Sequence, residues 1–160
     1  MADAKPRCQL LRIGANLTHA DSWTPALRDA MGAATRTLVL TEGLLLYLSE
    51  PEVRDLARNL AAFDCVESWT LDLASPAILA MMRKDMGTYL TNAPVKFAPP
   101  TGVAYFEALG WRVKRVSSIL HAAGCMQRLP WFLWLISKLP EPNPRRLTHA
   151  RWSGVVQLIR

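Results

Sequence analysis

Residues 38 to 53 read LVLTEGLLLYLSEPEV, and this stretch constrains the fold more than any other. The short apolar run Thr37 to Leu40 has the make-up of a buried strand. It ends at an acid followed by glycine, Glu42-Gly43. Ser49, Pro51 and Glu52 then form a capping box and a helix start. A carboxylate at the end of a buried strand is costly unless it is paired or faces a ligand. In open α/β sheets, ligands bind at that end of the strands. Glu42 is therefore the first candidate site residue.

The rest of the chain alternates in the same way. Gln9 to Ala15 predicts a strand that ends at Asn16-Leu17-Thr18. Ser22 to Met31 predicts a short helix, with Pro25 in its first turn and Gly32 beyond its end. Val53, Leu56, Ala57, Leu60 and Phe63 keep helical spacing and should pack on the sheet. Asp64 to Leu73 is a third strand, and Ser75-Pro76 opens a further helix. Residues 87–102 read as a loop, and Tyr105 to Leu109 as a helix end closed by Gly110. Trp111 to Ser117 and Gly154 to Ile159 are the remaining strands. Between them lies a short helix within Leu129 to Leu139, bracketed by Pro130 and Pro140. Strands alternating with helices predict an α/β fold with a largely parallel sheet. With 160 residues, one domain spans the chain.

Composition excludes more than it identifies. The apolar fraction of 51% and charged fraction of 20% argue for a globular chain rather than disorder. No apolar run is long enough to cross a bilayer, and the first residues lack a secretory pattern. Cys8, Cys65 and Cys125 are widely spaced, as are His19, His121 and His149. The reading is free thiols in a reducing cytoplasm, with no metal site. The net charge of +6 arises in the last third, where residues 111–160 hold nine basic residues and only Glu141. These basic residues are dispersed and no nucleic-acid-binding motif surrounds them, so a solvated basic face is expected. No Ser/His/Asp or Cys/His pair is framed for nucleophilic catalysis.

The segment TEGLLLYLSEPEVRDLARNL resembles the signature of the leucine carboxyl methyltransferase-like group of S-adenosylmethionine-dependent enzymes, which includes polyketide-synthesis-type O-methyltransferases. RIGANLTHADSWTPALRDAMG, FEALGWRV and GVVQLIR resemble the flanking segments of that group. The resemblance implies a Rossmann-like class I methyltransferase sheet with S-adenosylmethionine as cofactor. It places Asn16 and Leu17 where the family has an Asp-Leu pair beside the adenine, and Glu42 where it has an acidic cofactor contact.

Two departures accompany the resemblance. Asn16 replaces the family aspartate, which costs a charge-assisted bond and about 1 kcal/mol. The eight glycines are never two apart, so the glycine-rich cofactor turn has no equivalent. The expectation is an N-terminally truncated domain, beginning at the third strand of the family order 3-2-1-4-5-7-6, with weakened cofactor affinity. The strand at Gln9–Ala15 must then dock beside Thr37–Leu40 or leave edges unpaired.

The expected acceptor is a small molecule or a protein carboxylate, with neither nucleic acid nor a membrane as partner. The alternative is a non-catalytic remnant that binds a partner chain through an exposed sheet edge, and self-association through that edge is also expected. Structural alternatives also apply to single residues. Glu42 or Asp72 could cap a helix, Asn16 suits a turn, and Tyr47 reads as a packed residue. Trp131, Phe132 and Trp134 suit a substrate lid, a packing helix or an interfacial helix.

Overall fold

The computed structural model describes residues 7–86 and 93–160. The chain folds as a mixed α/β domain around an open four-stranded sheet. Helix α1 (Ala20–Met31) precedes strand β1 (Thr37–Thr41), and a single 3₁₀ turn at Leu45–Tyr47 leads into α2 (Glu50–Ala61). Then come β2 (Val66–Ala74), α3 (Pro76–Met86), the one-turn helix α4 (Ala104–Glu107) and β3 (Arg112–Ser118). The chain ends with α5 (Ile119–Cys125), α6 (Trp131–Ile136) and β4 (Ser153–Ile159).

The order across the sheet is β1-β2-β4-β3. β1 and β2 run parallel, with Val39 opposite Trp69 and Thr41 opposite Leu71. β4 lies antiparallel between β2 and β3, with Val156 opposite both Leu71 and Val116. The sheet is thus mixed: β1, β2 and β3 share one direction and β4 alone runs against them, where the alternation suggested a largely parallel sheet. The last strand enters between β2 and β3 and pairs antiparallel with both.

One face of the sheet is sealed. Val53, Leu56, Ala57 and Leu60 of α2 are all at most 5% exposed and join Trp69, Leu71 and Leu158 in the core. The Trp69 ring meets Phe106 and Trp111 edge-on, each with centroids 5.5 Å apart. Both buried indoles find acceptors, Trp69 donating to Thr41 Oγ1 at 3.0 Å and Trp111 to the Ala57 carbonyl at 3.2 Å. This satisfies the polar atoms that burial would otherwise penalise. Behind this cluster Gly102 has φ +53°, and a Cβ there would run into the Pro144 carbonyl. That close approach lets residues 144–147 close the core through buried Leu147.

Two local expectations were not met. Residues 9–16 form no regular structure, and Leu10, Leu11 and Ile13 stay exposed. A strand exists only where a neighbour takes its hydrogen bonds, and among the described residues the outer edge of β1 has no strand beside it. Pro25 sits in the sixth position of α1, because the helix starts two residues earlier than its apolar pattern indicated. Part of the expected loop, residues 87–92, lies outside the described residues. No helix among the described residues is long and apolar enough to cross a membrane.

Candidate functional site

The turn after β1 is held from two directions. Gly43 adopts φ +59° with open space where a Cβ would stand, so the backbone angle, not crowding, calls for glycine. Its N–H donates to Asp72 Oδ1 at 2.7 Å. Asp72, on the neighbouring strand, thus pins the turn that carries Glu42. Glu42 itself is exposed at the carboxyl end of β1. Downstream, Ser49 N–H donates to Glu52 Oε2 at 2.6 Å in the capping box that starts α2. These hydrogen bonds from Ser49 hold the Glu52 carboxyl below the usual glutamate range.

Asn16 and Leu17 lie in the segment that crosses in front of this edge. The Asn16 Oδ1 accepts from Thr18 N–H at 3.0 Å and from Thr18 Oγ1 at 2.8 Å, a local turn at the entrance to α1. Leu17 is half-buried against the core. It lines a cavity of about 280 Å³ with Trp23, Leu27, Thr41, Leu44 and Leu56. Thr41 is the polar residue in that wall, and its neighbour along the chain is Glu42. The structure thus brings Leu17 and the end of β1 to one cavity. Asn16 and Glu42 are next in sequence to its lining residues but do not line it. Tyr47 lies outside this wall and is 37% exposed rather than packed.

A second cavity, of about 610 Å³, opens where β2 and β3 end and β4 begins. Ile78 and Met81 of α3 face Ile119 and Leu120 of α5, while Leu133 and Ile136 of α6 close the outer side. His121, Glu141 and Arg151 are its ionisable residues. Two of its lining residues, Ile78 and Trp152, are tied together by the fully buried Ser75, whose Oγ accepts from their N–H groups at 3.3 Å and 3.2 Å. This one hydroxyl starts α3 and fixes the entry to β4. Size and lining match those of small-molecule sites, mostly apolar with a few convergent polar groups.

Sequence reasoning missed α5 and with it His121, because β3 runs into the helix without a break. A signal was present: Ser118 is a favourable cap, and its Oγ accepts from His121 N–H at 3.3 Å. Both cavities include residues at the carboxyl ends of parallel strands, Thr41 of β1 in one and Ser118 of β3 in the other. No family model matches the chain, and no curated protein matches it either.

Proposed function

We propose that the chain carries the cofactor-facing strands of an S-adenosylmethionine-dependent methyltransferase, which moves a methyl group to a carboxylate or hydroxyl oxygen. The observation that supports this most is the strand order. In the family order 3-2-1-4-5-7-6, the final strand of the chain inserts between the fifth and sixth. The order β1-β2-β4-β3 repeats 4-5-7-6 strand for strand. Glu42 then falls at the end of the fourth strand, on the turn that Asp72 pins.

In this reading Leu17 and Leu44 cover the apolar ring of the cofactor, and the Glu42 carboxylate accepts hydrogen bonds from its sugar hydroxyls. Bound S-adenosylmethionine supplies an electrophilic methyl carbon, so the protein's work is positioning and the exclusion of water. The 610 Å³ cavity would hold the apolar body of the acceptor. His121 and Arg151, among its ionisable residues, would orient the acceptor oxygen. The sequence has no glycine-rich turn, so affinity is expected at about the millimolar level, as a partly built pocket gives weak binding.

Photolabelling with tritiated S-adenosylmethionine tests the reading. Trypsin would release Ile13–Arg28, which holds Asn16 and Leu17, and Thr37–Arg54, which holds Glu42. Label confined to these two peptides and removed by excess S-adenosylhomocysteine supports it. Label spread over the chain, or insensitive to competitor, contradicts it.

A second reading rests on a different observation. β1 is apolar at three successive positions, Leu38 to Leu40, which is the pattern of a strand buried on both faces. Yet Leu38 and Leu40 are 66% and 65% exposed, and the outer edge of β1 is unpaired. Here the chain acts as a binding element that pairs with another chain, or with itself, through that edge. Light scattering distinguishes the cases: self-association abolished by Leu40→Lys favours this reading, and a monomer at high concentration counts against self-pairing.

A further inference from the structure

The last third of the chain carries an apolar projection set among charges of one sign. Helix α6 contains no buried residue. Trp131 is 76% exposed, and Phe132, Trp134, Leu135, Ile136 and Leu139 are exposed as well. The projection is firmly rooted. Ser137, just past the helix, is buried and donates from Oγ to the Trp134 carbonyl at 2.7 Å. Gly124 of α5 sits so close to Ser137 that a Cβ would collide with its hydroxyl. A glycine is needed for α5 to hold α6 in place.

Five of its six residues are exposed and only Leu133 is half-buried, so apolar side chains leave the helix over most of its circumference. A protein groove accepts one stripe of a helix, at three- and four-residue spacing. A bilayer interface is a continuous medium that takes a whole protruding turn, and tryptophan partitions there because one end of its ring is polar. Charge points the same way. Arg128 and Lys138 flank the helix, and the Lys138 ammonium lies 5.3 Å above the Trp134 ring. Arg145 and Arg160 are paired with Glu107 and Asp64. Arg128, Lys138, Arg146 and Arg151 take part in no ion pair among the described residues. With Glu141 as the one acid in residues 111–160, this surface is complementary to anionic headgroups.

We propose that α6, with Arg128 and Lys138, docks the protein on an anionic lipid bilayer surface without crossing it. This departs from the expectation of no membrane partner. The decisive new fact is that no residue of α6 is fully buried and that Leu133 alone is half-buried.

Co-sedimentation of the full chain with large vesicles tests the proposal. The vesicles are phosphatidylcholine alone, or with about 30 mol % phosphatidylserine. Binding should be at least tenfold tighter to the anionic vesicles and fall at least tenfold between about 0.1 and 0.5 M salt. Trp23, Trp69, Trp111 and Trp152 are buried, so quenching by brominated lipid reports on Trp131 and Trp134. The double variant Trp131→Ser/Leu135→Ser should lose both sedimentation and quenching while melting as the parent does, since both side chains are exposed. Arg128→Glu/Lys138→Glu should lose the preference for anionic vesicles. No sedimentation with anionic vesicles at low salt overturns the proposal. So does undiminished binding by the Trp131→Ser/Leu135→Ser variant. A dimer that this variant disperses, without vesicle binding, also overturns it and assigns α6 to a second copy of the chain.

Discussion

On the α2 side of the sheet, Trp69, Leu71, Val156 and Leu158 are at most 1% exposed. On the opposite side Leu38, Leu40 and Val155 keep 66%, 65% and 43% of their surface in water. The same strands supply both sets, since successive side chains alternate across a sheet. Chain topology makes the difference. The parallel crossover through α2 covers the first face, while α3, α5 and α6 gather around the larger cavity at the strand ends. Composition would not have separated the two faces, because LVL at 38–40 is equally apolar on both. The sealed face therefore carries stability, and the open face with its edge is the part free to meet something else.

Substitutions should separate the faces most sharply at Trp69 and Leu40. Trp69→Ala removes an indole packed against Phe106 and Trp111 and should cost about 3–5 kcal/mol in urea unfolding. Leu40→Ser, on the open side of the neighbouring strand, should stay within about 0.5 kcal/mol. Equal losses would mean that the open face is covered in solution. A smaller effect is expected at the seam between them. Gly43→Ala forces a Cβ into the left-handed region and should cost about 1–2 kcal/mol. Asp72→Ala should cost about 1 kcal/mol through the lost bond to Gly43.

At the start of α2, Ser49→Ala should likewise cost about 1 kcal/mol. Its pH dependence has a definite sign. The Glu52 carboxyl titrates lower in the folded chain than in the unfolded one. Its contribution is therefore fully present above about pH 4.3, the unfolded glutamate value, and is lost as the pH falls through the lower folded value. Urea midpoints of Glu52→Gln and the parent should converge in acid and diverge towards neutrality. A constant gap across that range would show that the capping carboxylate does not act through its charge.

How much was legible in the sequence follows the range of the interaction. The capping box of α2, the Ser75 start of α3 and the four strands of the sheet are written in local patterns. Gln9 to Ala15 carries an equally good strand pattern and forms none, because pairing depends on a partner elsewhere in the chain. The insertion of β4 between β2 and β3 is likewise a non-local choice. For the site, Glu42 was visible as an acid at a strand end, and Leu17 entered only through the family resemblance. The roles of Asp72 in bracing the turn and of His121 in the larger cavity depend on register and on a helix hidden behind Ser118.

A thermal melt of the purified chain with and without about 5 mM S-adenosylhomocysteine tests the central claim most directly. A ligand bound only to the folded state raises the midpoint by an amount set by RT ln(1 + [L]/Kd). With Kd near 1 mM the gain is about 1 kcal/mol, or a rise of about 2–4 °C. That rise, lost in Glu42→Gln, is the predicted result. A cooperative transition that S-adenosylhomocysteine leaves unmoved would contradict the cofactor reading and leave the open edge of β1 as the surface to pursue.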